Sequence, residues 1–133
     1  MTPYRTLRAG VILAAKDVAG LSTFYREALG FELAAEFAEP PYVILHKSGM
    51  RLSLTTDGVS SDDFPDFTFR SLTASSEGSA CLVLEVDNCN NARAALAARG
   101  VRMRSEVFRP QWGGARFFCE DPERNLIEIE ELA

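Results

Sequence analysis

The chain has 133 residues, 47% of them hydrophobic and 25% charged, and a formal net charge of −5. That length suits one ordinary domain, and the composition is that of a globular protein. No run approaches the ~18 apolar residues of a membrane span, and the acidic balance argues against a nucleic-acid backbone as partner.

Met1-Thr2-Pro3-Tyr4-Arg5 shows no apolar leader, so a cytoplasmic location is expected. Val11 to Ala15 reads as a strand. Val18, Leu21, Phe24, Tyr25, Ala28 and Leu29 then recur at spacings of three and four, the pattern of one helix face. Asp17 is placed to cap that helix and Gly30 to end it. Phe31, Leu33 and Ala35 alternate with other residues, Pro40-Pro41 makes a turn, and Tyr42 to His46 is a second strand of this stretch. Lys47-Ser48-Gly49 is a hairpin turn into Met50 to Thr55, where Met50, Leu52 and Leu54 alternate with Arg51, Ser53 and Thr55.

Thr56 to Ser79 is rich in Ser, Asp, Thr and Gly, with Phe64, Phe67 and Phe69 embedded. A segment this long without regular structure is unusual inside a compact domain. It is a linker, a loop that lays its aromatic residues over a ligand, or a loop whose phenylalanines anchor it to the core. The second half repeats the first. Cys81 to Val86 is a strand, Asp87-Asn88 opens an alanine-rich helix from about Cys89 to Ala98, and Gly100 closes it. Val101 to Val107, Ala115 to Cys119 and Leu126 to Glu130 are further strands, with Asp121 to Asn125 turning between the last two. The expected fold is α+β: two βαβββ modules forming a curved mixed sheet with a ligand cleft. Residues 1–133 make one domain, with module one at about 7–55, a linking loop at 56–79 and module two at about 80–131.

Chemistry is sparse. The three cysteines, Cys81, Cys89 and Cys119, are widely spaced and form neither a disulfide framework nor a metal knuckle. Cys81 and Cys119 lie in apolar runs, where a thiol acts as a small hydrophobe. His46 is the only histidine and has no serine or cysteine motif to activate. Trp112, the only tryptophan, lies in the glycine-rich stretch Arg109 to Gly114, where it stacks on a planar or cationic ligand or plugs the loop onto the core. Glu128, in Leu126-Ile127-Glu128-Ile129, is an inward carboxylate or a solvated one; Glu85 raises the same choice.

Asp17-Val18 followed by Phe24-Tyr25-Arg26-Glu27-Ala28-Leu29-Gly30-Phe31 resembles the first module of the vicinal oxygen chelate superfamily, which holds glyoxalase I, the extradiol dioxygenases and the bleomycin resistance proteins. Trp112 to Phe118 with Asp121 to Glu128 resembles its second module. The resemblance implies paired βαβββ modules, usually in a dimer, around a cleft. Metal-dependent members carry ligands on the first and last strand of each module. By position these fall on Gly10, on or near Ser53, on Cys81 and on Glu128, and only Glu128 matches. A metal-free member of the bleomycin resistance type is therefore expected, with no cofactor and no metal. It would be a cytoplasmic homodimer without nucleic-acid or membrane partners. Its ligand would be a small aromatic or cationic molecule, including an antibiotic of the bleomycin or mitomycin type, bound by Trp112, Glu128, Arg116, Phe64, Phe67, Phe69 and Ser53. The alternative is a metal-dependent lyase, isomerase or dioxygenase-like enzyme of the same superfamily.

Overall fold

The computed structural model describes residues 3–74 and 76–133. The chain divides into two compact units, Met1–Ser71 and Leu72–Ala133.

The first unit runs β1 (Ala9–Ala15), α1 (Val18–Glu27), β2 (Glu32–Ala38), β3 (Pro41–Lys47) and β4 (Met50–Thr56). Its sheet has the order β1-β4-β3-β2, with β1 parallel to β4 and the other pairs antiparallel. Asp17 caps α1 as its sequence position implies: its side chain accepts from the Gly20 N–H at 2.9 Å, a contact worth about 1 kcal/mol. Ser48 and Gly49 both take positive φ, which gives the β3–β4 hairpin the twist its strands need. The alternation in β4 decides the layers. Leu52 and Leu54 pair with Leu45 and Val43 on one face, all buried, and α1 packs there with Val18, Leu21 and Tyr25. Each such side chain contributes about 1.5–3 kcal/mol of burial free energy. Ser53, His46 and Ile12 point to the opposite face, called inner below.

The second unit runs β5 (Leu82–Glu85), α2 (Cys89–Ala98), β6 (Arg102–Met103), β7 (Ala115–Glu120) and β8 (Leu126–Glu131), with sheet order β5-β8-β7-β6. Phe117, Cys119, Ile127 and Ile129 are buried on the face that α2 covers. The repeat read from the sequence is therefore present as two four-stranded mixed sheets, each with one helix, rather than as one sheet. Asn88, of the Asp87-Asn88 pair that opens it, caps α2, its side chain accepting from the Asn91 N–H at 2.9 Å. Two details differ. The strand expected over Val101 to Val107 shrinks to two residues because the Ser105 hydroxyl takes the Phe118 N–H at 2.9 Å and interrupts the ladder. Cys81 is exposed ahead of β5, whereas Cys89 and Cys119 are buried. No helix is long and apolar enough to cross a membrane.

Candidate functional site

On the inner face of the first unit, strand register places Ile12, Ser53, Ile44 and Ala35 in one row. Arg51, His46 and Glu32 form the next row on one side, and Thr55, Tyr42 and Phe37 the row on the other. Ser53 is buried, and its hydroxyl accepts from the Arg51 Nε at 3.4 Å. Gly10 sits beside Arg51 on β1, where a Cβ would collide with the Arg51 carbonyl oxygen and lie 2.9 Å from the Arg51 Cβ. Glycine is what lets the two strands approach there.

The segment after β4 is closed on itself. Asp57 accepts from the Ser71 N–H at 2.7 Å and the Ser71 hydroxyl at 3.2 Å, and the Gly58 N–H donates to the Phe69 carbonyl at 2.8 Å. The Ser71 backbone bond holds the Asp57 carboxyl below its ordinary range, against partial desolvation, with help from the Ser71 hydroxyl, Arg70 and Lys16. Phe67 and Phe69 meet edge to face at 4.9 Å. Phe64 is 59% and Phe67 51% exposed, so these two rings do not anchor the loop to the core.

On the inner face of the second unit, Glu128 stands between Val83 and Phe118. Its side chain is only 13% exposed and meets the Arg116 Nη1 at 3.3 Å. The Arg116 guanidinium also lies 5.6 Å from the centre of the Phe118 ring. Trp112 is 81% exposed in the loop that leads into β7, so it presents its ring to solvent instead of plugging the loop. Gly114 in that loop has φ +78, and a Cβ there would lie 2.7 Å from the Glu131 carbonyl oxygen.

Two polar clusters in this unit are structural. Asp121 is buried and accepts from the backbone N–H groups of Glu123 (2.8 Å) and Asn125 (3.0 Å) and from the Asn125 Nδ2 (2.9 Å). The Asp121-Pro122-Glu123-Arg124-Asn125 motif is thus a turn lock. Glu120, also buried, meets the Arg102 Nε at 3.2 Å and the Arg104 Nη1 at 3.0 Å. The sequence reading missed this ion triad. The alternation of Arg102 and Arg104 was visible in the sequence, but the β6–β7 register that brings Glu120 to them was not. It also missed Arg51, His46, Phe37 and Tyr42 as inner-face residues, although the alternation in β4 already put Arg51 beside Ser53.

A family model described as the Glyoxalase/Bleomycin resistance protein/Dioxygenase superfamily matches residues 9–129, and the chain belongs to that superfamily. Three solved structures show the same fold. One is a lactoylglutathione lyase from Agrobacterium tumefaciens (18% identity, 98% of this chain and 96% of that one, TM-score 0.73). Another is TioX from Micromonospora sp. ML1 (16% identity, 95% and 98%, TM-score 0.73). The third is an integron cassette protein from the mobile metagenome of V. cholerae (19% identity, 100% and 99%, TM-score 0.71). No curated protein matches the chain.

The positions that carry metal ligands in metal-dependent members do not fit a metal here. Gly10 has no side chain and no room for one. Ser53 offers a neutral hydroxyl already engaged by Arg51. Cys81 lies seven residues before its helix cap, as Gly10 does. Partial burial pushes its thiol up, a backbone bond at Glu128 opposes this, and the Glu128 carboxylate adds to the rise. Glu128 is paired with Arg116. Among the described residues no three His, Cys, Asp or Glu side chains converge as a metal-binding group.

Proposed function

We propose that this chain is a cytoplasmic homodimeric binding protein that sequesters a small aromatic or cationic molecule without performing chemistry on it, an antibiotic of the bleomycin or mitomycin type being the leading ligand class. No nucleic acid or membrane partner enters this reading. The observation that carries it is the content of the four family ligand positions: Gly10, Ser53, Cys81 and an ion-paired Glu128. A divalent ion held by one carboxylate and no imidazole binds weakly. The lyase, isomerase or dioxygenase alternative requires a donor set that these residues do not supply.

What remains on the strands suits recognition. Glu128 offers a carboxylate of low exposure, Arg116 orients it, and Trp112 offers an open ring for stacking. In the first unit, taken by itself, the exposed Phe64 and Phe67 rings with Phe69 offer apolar surface, and Ser53 a hydroxyl shared with Arg51. A titration of Trp112 fluorescence with bleomycin-type and mitomycin-type compounds tests the proposal. Saturable quenching by at least one of them is expected, with calorimetric affinity reduced on the order of tenfold in Trp112→Phe and Glu128→Gln. A flat titration with every compound, in protein that is folded by circular dichroism, would overturn it.

A further inference from the structure

The first unit carries a cationic pole that the reading above leaves unused. Arg51 and His46 face each other directly on β4 and β3, on the inner face. Side chains so paired have Cβ atoms about 4.5–5.5 Å apart. The Arg51 Nε donates to the Ser53 hydroxyl at 3.4 Å, which ties the exposed Arg51 side chain to its own strand. On its other side the row continues to Gly10, which puts no side chain over it. Among the described residues, no carboxylate lies within ion-pair distance of Arg51. Glu32, the acid of the row, is one strand further away, opposite His46.

Along the strands from this pole the face turns apolar and then aromatic. The next row holds Ile12, Ile44 and Ala35 around the buried Ser53, and the row after it Tyr42 and Phe37 beside the buried Thr55. The Phe37 ring is 58% exposed and stands 6.4 Å from the Tyr42 ring, tilted by 55°. Two rows are four residues along a strand, about 13 Å at the usual rise.

We propose that the inner face of the first unit binds an aromatic carboxylic acid, with Arg51 and His46 holding the carboxylate and Phe37 and Tyr42 holding the ring about 13 Å away. The planar guanidinium matches both carboxylate oxygens, and an imidazole N–H adds a third donor. The apolar stretch between the poles excludes a free phosphate as the preferred ligand, because it has nothing to bury there. This inference rests on the reading of the inner faces as ligand surfaces; of the aromatic or cationic ligands proposed above it selects the aromatic ones, and it gives them a carboxylate and a length.

Fluorescence anisotropy with 1-pyrenebutyrate and 1-pyrenebutanol, two probes of similar length that differ in the acid, tests it. The acid is expected to bind on the order of 10- to 100-fold tighter than the alcohol, the range for hydrogen bonds to a charged group. Arg51→Gln should abolish that preference while the affinity for the alcohol stays the same. Arg51→Lys, which keeps the charge but not the fork, should retain part of it. Phe37→Ala should weaken both probes alike. Equal binding of acid and alcohol by the unmodified chain, or a preference that survives Arg51→Gln, overturns the carboxylate pole alone. Failure to bind either probe overturns it together with the inner-face reading.

Discussion

Asp121→Ala separates a structural motif from a functional one. The Asp121 carboxylate is buried and accepts three hydrogen bonds, from the Glu123 N–H, the Asn125 N–H and the Asn125 Nδ2, all between 2.8 and 3.0 Å. It also stands where Arg124 takes φ 71, a conformation that a non-glycine residue adopts only when its surroundings enforce it. Alanine removes both acceptor oxygens and leaves the three donors in a turn already committed to β7 and β8. At about 1–1.5 kcal/mol for each such bond, the loss is about 3–4.5 kcal/mol. With an m-value of about 2 kcal/mol/M in urea, the unfolding midpoint should fall by about 1.5–2.3 M, read by circular dichroism. Asp121→Asn keeps an oxygen for the two backbone donors but opposes its amide to that of Asn125, so about a third of the loss is expected. A midpoint that moves by less than about 0.3 M in Asp121→Ala would refute the turn-lock reasoning, since that is below the value of a single bond. A variant of unchanged stability that no longer binds ligand would move the motif into the site.

Other outcomes follow from the same geometry. Gly114→Ala puts a methyl 2.7 Å from the Glu131 carbonyl oxygen at φ +78, so it should destabilise the second unit by about 2 kcal/mol or more, measured by thermal unfolding. The Asp57 carboxyl lies below its ordinary 3.8, so its contribution is complete above that pH and fades as pH falls through the lowered value. The protection factor of the Ser71 amide, its intrinsic exchange rate at each pH over the observed one, should therefore fall only below about pH 3.8, and Asp57→Asn should remove that fall. Burial pushes the Cys119 thiol up to about 11 from 9.0, with smaller contributions from Cys81, Asp121 and Glu120. Folding keeps that proton on, so its contribution is complete below pH 9.0 and is lost as pH rises toward 11. A disulfide reagent at pH 8 should label the exposed Cys81 well before Cys89 and Cys119, which it should reach only on unfolding.

The elements were legible because their signals are local. The helix face from Val18 to Leu29, the Asp17 cap, the Ser48-Gly49 hairpin and the alternation in Met50 to Thr55 each rest on residues a few positions apart. The site was legible only as a set of types. That Glu128 shares a strand face with Glu130 follows from period two, but its pairing with Arg116 depends on the β7–β8 register. Arg51 and His46 were both in view, yet nothing in a linear reading puts them opposite each other, because that needs the β3–β4 pairing. The same holds for Glu120 with Arg102 and Arg104. Val101 to Val107 read as a full strand because its composition is strand-like, and one serine side chain cut it short. Exposure was the least legible property: Cys81 sits in an apolar run, yet only the start of β5 at Leu82 shows that it falls outside the sheet.

Calorimetric titration of chelator-stripped protein with Zn²⁺, Mn²⁺ and Ni²⁺ tests most directly the claim that the inherited ligand positions no longer hold a metal. No stoichiometric binding tighter than about 10 μM is expected, far weaker than a built metal site. One ion per chain bound in the nanomolar range, and lost in Glu128→Gln, would contradict the account.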